Sequence, residues 1–219
     1  MKRAALGIQM HSGWGVLVAV CADAGLIEIL DRRRILTVDP EIAATKQPYH
    51  HAATLPLPEA EKHIANCEAA TTQLALRAMS EVLRELGERQ CRIAGCAVLL
   101  ASGRPLPPLE KTLAAHPLIH TAEGEFFRHT IRSACETLRI PVTAMPEREL
   151  EERARSTFGN AASRVQQNIA SLGASIGPPW TRDHKHAALA AALILASTNK
   201  AKAPAQGAKR KSAHTSRES

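Results

Sequence analysis

The sequence of 219 residues is poor in aromatic side chains and has no regular cysteine framework. Phe, Trp and Tyr make up only 3% of the chain, so its core must be built from aliphatic side chains and alanine. The five cysteines, at positions 21, 67, 91, 96 and 135, form no CxxC pair. An odd number at irregular spacing argues against a disulfide-stapled secreted fold and is typical of reduced thiols in a cytoplasmic protein.

The sequence pattern predicts neither a membrane-spanning segment nor a secretory signal. The apolar segment 187–196 is far shorter than the roughly 20 residues that a helix needs to cross a bilayer. Lys2 and Arg3 precede an apolar run, but Gln9 and His11 interrupt that run and no convincing cleavage region follows it. We therefore expect a cytoplasmic protein without a membrane partner.

Acidic residues are too few to balance the basic ones, and most of the imbalance lies at one end of the chain. The formal net charge is +7, and residues 199–219 hold six Lys or Arg and one Glu, a net +5, which leaves +2 for residues 1–198. We predict a nearly neutral folded domain over 1–198 and a basic, disordered tail over 199–219. Such a tail adds salt-dependent attraction to a polyanion, or it only keeps the chain soluble.

The first part of the chain predicts an antiparallel meander of three strands. Apolar segments at 4–10, 15–21 and 26–36 are joined by tight turns, and the arginine run 32–34 is interpreted as the third strand leaving the core. Residues 37–57 contain three prolines and no clear period, which predicts a loop.

Helices and strands alternate in the rest of the chain. Apolar periodicity predicts a long helix over 58–86, a buried strand over 92–101, a helix over 120–138, a short strand over 141–145 and a closing helix over 182–197. Shorter helices are predicted over 107–115, 147–158 and 164–172. The main order, β-β-β-α-β-α-β-α, predicts an α/β fold with a mixed five-stranded sheet and helices on both faces.

The start of the closing helix is a dense cluster of polar residues. Because the rest of this helix is nearly all Ala, Leu and Ile, it must be buried. Its first turn is therefore held in a fixed position, which suits functional side chains. Thr181 as N-cap and Asp183 in the first turn account for part of the pattern. Arg182 and Lys185 are suited to bind a phosphate beside the free N–H groups of the helix.

A second candidate site lies between positions 116 and 128. Thr121 is predicted to cap a helix there, with Glu123 in its first turn and Glu125 two residues further on. His120 and the two carboxylates are suited to hold a hard metal ion or to act as a general acid and base. The alternative is that Glu123 only complements the helix dipole and His120 makes an ordinary hydrogen bond.

Other histidines lie in turns and loops. His11 follows the first strand, and one interpretation places it near the same edge of the sheet as the two candidates above. The alternative is an incidental histidine, which is the commoner case for a lone histidine in a turn. His50 and His51 lie in a predicted long loop, and long loops are often functional. The alternative is that they are ordinary exposed histidines, which are common. His116 is four residues before His120, but Pro117 between them argues against a shared helical face and against a zinc site of the HExxH kind.

The order of elements over residues 4–197 resembles the ribonuclease H-like fold, and the closing helix resembles that of the Holliday-junction resolvases. In those proteins an acidic residue, two spacers and a second acidic residue open an Ala/Leu-rich helix, and Asp183-His-Lys-His186 stands in that place. The resemblance implies nucleic acid as a partner and two divalent ions, Mg²⁺ or Mn²⁺, held by converging carboxylates. Gln9, Ser102 and His186 stand where three of the four expected carboxylates would be.

Two hypotheses follow from these patterns. The first is a divergent ribonuclease H-like protein that binds nucleic acid or another phosphate-bearing ligand and carries metal-dependent phosphodiester chemistry. Its metal ligands would be Asp183, Glu123 and Glu125, with His120 and His11 as further catalytic groups and Lys185, Arg182 and Arg128 on the phosphate. The second is a catalytically inactive scaffold or interaction protein.

A nucleotide-binding protein of the actin and sugar-kinase kind is disfavoured, since no Gly-rich loop with an Asp follows the first strand. The sequence leaves the oligomeric state open.

Overall fold

The chain folds around a single β-sheet, as seen in a computed structural model that describes residues 1–23, 26–39, 41–42, 44–101 and 105–200. The predicted basic tail, 199–219, lies outside the described residues except for its first two positions, so its predicted disorder stays a prediction. Ser102, at the end of the fourth strand, also lies outside them.

The sheet has five strands in the order β3-β2-β1-β4-β5. β1 pairs antiparallel with β2, and β2 pairs antiparallel with β3. β4 runs parallel to both β1 and β5. The strands are β1 Lys2–His11, β2 Trp14–Asp23, β3 Leu26–Leu36, β4 Cys91–Leu100 and β5 Val142–Pro146. This confirms the predicted mixed five-stranded sheet.

In the described part of the chain, seven α-helices connect and cover these strands. They are α1 Pro48–Ala52, α2 Leu57–Glu88, α3 Leu109–Leu113, α4 His116–Thr137, α5 Leu150–Phe158, α6 Ala162–Ile176 and α7 Arg182–Lys200. Two short 3-10 turns, Glu147–Glu149 and Gly159–Ala161, flank α5. The order of the main elements agrees with the predicted one.

Each face of the sheet carries its own hydrophobic core. Leu6 and Ile8 of β1 belong to the core that α2 and α4 cover. Successive side chains of a strand point to opposite faces, so Ala5 belongs to the other core, which α5, α6 and α7 cover. β1 and β4 are central strands buried on both faces, which explains why they read as continuous apolar runs. All five cysteines are buried in these layers as free thiols.

The closing helix α7 lies unusually close to β1 because β1 has a glycine at the crossing point. A Cβ atom added at Gly7 would lie 1.9 Å from the carbonyl oxygen of Ala187 and 3.1 Å from the amide nitrogen of Ala191. The α7 side chains from Ala187 to Leu195 are buried, as the apolar sequence predicted. The first turn of α7 is therefore held at the edge of the sheet where β1 ends.

The arginine run was interpreted as the third strand leaving the core, and this interpretation is wrong. β3 continues through Arg32, Arg33 and Arg34, which pair with β2 in register. Because successive side chains of a strand point to opposite faces, those of β3 reach elements on both faces of the sheet: Arg33 reaches α2 and Arg32 reaches the turn before α7. Arg33 forms ion pairs with Asp31 and Glu85, and the guanidinium of Arg34 lies 4.2 Å from the ring centre of Trp14.

The predicted loop 37–57 contains the short helix α1, and α4 begins four residues earlier than predicted. Pro48 and Pro117 both lie in the first turn of their helices, where a proline is compatible with helical geometry. Thr121 is consequently not a cap: its hydroxyl donates to the carbonyl oxygen of Pro117 inside α4, at 3.0 Å. Tertiary contacts, described below, stabilise α1 where no local signal predicts a helix.

Candidate functional site

The proline turn before α7 is fixed by two side chains from elsewhere in the chain. The guanidinium of Arg32 donates to the carbonyl oxygens of Ile176 and Gly177, both at 2.8 Å. The indole N–H of Trp180 donates to the carbonyl oxygen of Ile169 at 2.8 Å. The ring of Trp180 packs against Gly173, where a Cβ would lie 2.7 Å from it. These contacts set the direction in which α7 starts.

His184 helps to cap the start of α7. Its Nδ1 accepts hydrogen bonds from the hydroxyl of Thr181 at 2.8 Å and from the backbone N–H of Thr181 at 3.3 Å. In a capping box, a Glu or Gln three residues after the N-cap accepts a hydrogen bond from the N-cap backbone N–H in the same way. Burial lowers the pKa of His184, and the nearby charge of Arg32 lowers it further. Both effects favour the neutral ring that this bond requires.

Six polar side chains meet where β1 and β5 end and α7 begins, and we call them the carboxyl-edge cluster. Two belong to the end of β1, one directly follows β5, and three belong to the first turns of α7. Parallel β-strands bring their carboxyl ends to one edge, which is where ligands bind in open α/β sheets. The members are Gln9, His11, Glu147, Arg182, Asp183 and His186.

Glu147 is the centre of this cluster. Its Oε1 accepts from Nη2 of Arg182 at 2.8 Å and from Nδ1 of His186 at 3.1 Å. Its Oε2 lies 3.5 Å from the side-chain amide nitrogen of Gln9. The side chain of Glu147 is 27% exposed, so both oxygens are reached mainly by partners from this chain.

Asp183, the other carboxylate of the cluster, is paired with His11. Oδ2 of Asp183 lies 2.9 Å from Nε2 of His11. The His11 ring stacks on Trp14, with ring centres 4.3 Å apart. Trp14 in turn lies beneath Arg34. The predicted placement of His11 and Asp183 at one edge is thus what the structure shows, and the two residues contact each other directly.

The carboxyl-edge cluster does not fit the pair of Mg²⁺ or Mn²⁺ ions that the resemblance implies. Such ions need several carboxylate oxygens directed at a common point. Here one oxygen of Asp183 is paired with His11, and both oxygens of Glu147 have partners, two of them basic. Gln9 offers only a neutral amide. The donors therefore neutralise each other's charge instead of leaving an acidic pocket.

The predicted metal ligands Glu123 and Glu125 lie on α4, which covers the face of the sheet opposite to α7. Oε1 of Glu123 accepts from the backbone N–H groups of Tyr49 at 3.0 Å and His50 at 3.1 Å. It is also 3.0 Å from Nδ1 of His50. Glu123 thus caps α1 and holds it against α4, and its side chain is only 4% exposed.

Glu125 points to different partners, as its position two residues after Glu123 predicts. Its carboxylate pairs with Arg132 at 3.0 Å and lies 3.9 Å from Arg128. Among the residues that the structure describes, Asp183, Glu123 and Glu125 share no partner. The structure therefore does not bring them together, because their helices pack on opposite faces of the sheet and the two glutamates diverge.

Arg128, predicted to contact phosphate, is instead buried beside the end of β4. Its Nε donates to the carbonyl oxygen of Leu99 at 3.1 Å. Desolvation lowers the pKa of the guanidinium, while the nearby charges of Glu125 and Glu147 oppose this effect. This position suits a clamp on the end of β4 and does not expose the guanidinium to an external phosphate.

Arg182 and Lys185 line a groove of about 430 Å³ beside the cluster. The side chain of Arg182 is 77% exposed although one of its nitrogens contacts Glu147. The groove is bounded by α7 on one side and by the segment around α5 and α6 on the other. Its lining includes three Lys or Arg side chains (Arg148, Arg182 and Lys185) and two carboxylates (Glu147 and Glu151), so its fixed charge is +1.

A larger groove of about 620 Å³ lies near the other end of α7 and has no comparable cluster. Its charged lining consists of Glu149, Glu152 and Arg153. Arg153 is already paired with Glu149 at 2.7 Å. This groove therefore offers little unpaired charge to a ligand.

His120, the remaining predicted site residue, lies in a second polar group that we call the histidine cluster: His50, His116 and His120. One ring nitrogen from each residue lies within 4.8 Å of the others. His116 and His120 do share a helical face, with ring centres 4.4 Å apart, because Pro117 fits the first turn of α4. The prediction that Pro117 would separate them is wrong.

Sequence reasoning missed Glu147, which it placed in a charged helix. The signal was present, since Glu147 directly follows β5, and β5 is parallel to β4 and β1. An acidic residue just after a parallel strand lies at the carboxyl edge. The predicted helix over 147–158 hid this position among three other glutamates and three arginines.

Comparison with known proteins finds solved structures at low sequence identity. No family model matches the chain, and no curated protein matches it. A structure of Thermus thermophilus RuvC is 12% identical over 90% of this chain and 96% of that chain, with a TM-score of 0.47. A structure of T. thermophilus RuvC in complex with a Holliday junction substrate is 14% identical over 91% of this chain and 96% of that one, also with a TM-score of 0.47.

The chain has an α/β, ribonuclease H-like fold. The observation that carries this statement is the strand order β3-β2-β1-β4-β5 with β2 antiparallel to its neighbours. The sequence identity to RuvC and the TM-score of 0.47 are too low to support a statement about activity. Within the described part of the chain, no helix is long and apolar enough to span a bilayer.

Proposed function

We propose that this chain is a ribonuclease H-like protein that binds the phosphate backbone of nucleic acid at the carboxyl-edge cluster and the adjoining groove, without metal-dependent cleavage there. The observation that supports this proposal is the pairing of Glu147 and Asp183 with Arg182, His186 and His11. A site whose carboxylates are already neutralised has lost the charge that attracts Mg²⁺. The adjoining groove keeps a fixed charge of +1, to which Lys185 and Arg148 contribute, and this charge attracts phosphate.

The chemistry of the groove is suited to an oxyanion. Arg182 presents a mostly exposed guanidinium, which can hold two phosphate oxygens at once. Lys185 lies on the same first turns of α7 and lines the same groove. The positive end of a 19-residue helix adds a partial charge at this point. The basic residues of 199–219 supply further attraction that depends on salt but not on the site.

A fluorescence anisotropy titration tests the proposal. Labelled single-stranded, duplex and four-way-junction DNA would be titrated with the full chain in buffer containing EDTA, over a series of salt concentrations. The double variant Arg182→Ala/Lys185→Ala should bind more weakly. For duplex DNA, a plot of log K against log salt should become less steep by about 1.8, because each lost phosphate contact reduces the steepness by about 0.9.

Two controls separate the groove from general charge. Arg84→Ala removes an exposed arginine on α2 that pairs with Glu88, and it should leave binding unchanged. A chain ending at residue 200 measures the contribution of the basic tail. If binding disappears with the tail, or if the double variant behaves like Arg84→Ala, the groove does not bind nucleic acid. The inactive scaffold would then be the better description.

A further inference from the structure

We infer that the histidine cluster is a binding site for a transition-metal ion of the Zn²⁺ class, separate from the proposed phosphate site. His50 of α1 and His116 and His120 of α4 each present one ring nitrogen within 4.8 Å of the other two. Among the described residues, they are the only group of three or more His, Cys, Asp or Glu side chains that meets this condition.

The ligand set selects the class of metal. Three imidazoles suit Zn²⁺, Co²⁺, Ni²⁺ or Cu²⁺, whereas Mg²⁺ and Mn²⁺ prefer oxygen ligands. Zn–N bonds of about 2.0–2.1 Å place the nitrogens of a tetrahedral site roughly 3.3 Å apart, so the rings must close by up to about 1.5 Å. His116 and His120 are exposed and His50 is only partly buried, so these side chains have room to rotate.

A carboxylate behind the cluster orients one of its ligands. Nδ1 of His50 donates to Oε1 of Glu123, which leaves Nε2 of His50 for the metal. Metal-bound histidines commonly donate their other nitrogen to a carboxylate in this way. Glu123 is thus a positioning residue: it caps α1 and fixes the ring that α1 contributes.

Glu123 also gives an electrostatic reason for a cation at this place. Its second oxygen, Oε2, is buried and has no hydrogen-bond partner among the described residues. Burial of a carboxylate with an unpaired oxygen is unfavourable unless a positive charge lies nearby. A divalent ion on His50 would compensate this charge through the bonded ring.

The cluster joins two elements that are far apart in sequence. α1 contains only five residues and contacts α2, α3 and α4. A metal bridging His50 to α4 would fasten α1 in place and leave a fourth coordination position open to solvent. Three protein ligands with an open position is the arrangement in which Zn²⁺ binds water.

Isothermal titration calorimetry with Zn²⁺ on the untagged full chain tests the inference, supported by the visible absorption of bound Co²⁺. One equivalent should bind, and Co²⁺ should give the strong absorption of a tetrahedral site. His120→Ala and His116→Ala should each weaken Zn²⁺ binding at least about a hundredfold. Glu123→Gln should weaken it about tenfold, as the loss of an outer carboxylate usually does.

The matched control is His129→Ala, an exposed histidine of the same helix that pairs with Glu68. It should leave Zn²⁺ binding and the Co²⁺ spectrum unchanged. His51→Ala tests the neighbouring His51–His63 pair, whose ring centres are 4.6 Å apart. The inference is overturned if no equivalent of Zn²⁺ binds, if His129→Ala weakens binding as much as His120→Ala, or if only His51→Ala abolishes it.

Discussion

The two polar clusters of this protein lie on opposite faces of one sheet and differ in how their charges are arranged. In the carboxyl-edge cluster, Glu147 and Asp183 each contact a basic side chain. In the histidine cluster, the one carboxylate lies behind the rings and the ring nitrogens face one another. Carboxylates that are already paired with basic groups bind a hard cation poorly. Imidazole nitrogens that face one another are suited to bind a softer metal ion.

The clusters also differ in what holds them. The carboxyl-edge cluster depends on the close approach of α7 to β1, which only a glycine at position 7 allows. The histidine cluster depends on the docking of α1 by Glu123. Substitutions at these two supports should therefore disturb one cluster and spare the other, which gives direct ways to test the comparison.

The largest effect is expected from Gly7→Ala. The new methyl group would lie 1.9 Å from the carbonyl oxygen of Ala187, so α7 must move away from β1. We expect a loss of about 3 kcal/mol in the free energy of unfolding, as for severe overpacking. Urea unfolding measures the change, and nucleic-acid binding at the carboxyl edge should weaken at the same time.

Gly87→Ala is the matched control for this substitution. No atom lies within 4 Å of a Cβ at Gly87, which is in the last turn of α2. Alanine favours the helix over glycine, so stability should rise by up to about 1 kcal/mol. Equal destabilisation by both substitutions would contradict the argument from the α7–β1 contact.

A smaller effect is expected from Glu123→Ala on the opposite face. The substitution leaves the N–H groups of Tyr49 and His50 without their acceptor. We expect a loss of roughly 2–3 kcal/mol, the range for buried groups whose charged partner is removed. Glu125→Ala, two residues away on a partly exposed ion pair with Arg132, should cost less than about 1 kcal/mol. Similar costs for both would mean that Glu123 does not dock α1.

The smallest effect concerns the pH dependence of stability at the start of α7. Burial holds the pKa of folded His184 below its ordinary value of 6.5, so the unfolded chain binds the proton more readily. The stabilisation from neutral His184 is therefore present above pH 6.5 and is lost as the pH falls through that value towards the lower folded pKa.

His184→Asn tests this pH dependence, because an asparagine oxygen can accept from Thr181 without titrating. Guanidinium unfolding at several pH values should show a flatter decline below neutrality than in the unsubstituted chain, by at most about 1.4 kcal/mol per pH unit. His63, whose pKa is also lowered by burial, titrates in both proteins and cancels in the difference. An unchanged decline would show that His184 does not stay neutral in the folded protein.

Much of the fold could be predicted from the sequence because the apolar pattern of the central elements is strong. The double-sided burial of β1 and β4 and the all-apolar α7 left little choice of architecture. The five-residue helix α1 could not be predicted, since its cap is Glu123, a residue more than 70 positions away. The residues next to α1 in the sequence do not reveal a contact with so distant a residue.

The candidate site was predictable only in part. His11 and Asp183 were expected at one edge and contact each other there. Glu123 and Glu125 were expected to join them, but which face α4 covers is decided by packing of the whole sheet and not by the sequence near those residues. Glu147 and the meeting of His50 with His120 depend on elements far apart along the chain.

The most direct test of the central claim compares the unsubstituted chain with Asp183→Asn, in DNA binding under EDTA and in cleavage with Mg²⁺ or Mn²⁺. The claim that the carboxyl edge binds phosphate without metal chemistry predicts no cleavage by either protein. It also predicts that Asp183→Asn binds DNA as well as the unsubstituted chain or more tightly, because a negative charge is removed. Metal-dependent cleavage by the unsubstituted chain that Asp183→Asn abolishes would contradict the claim.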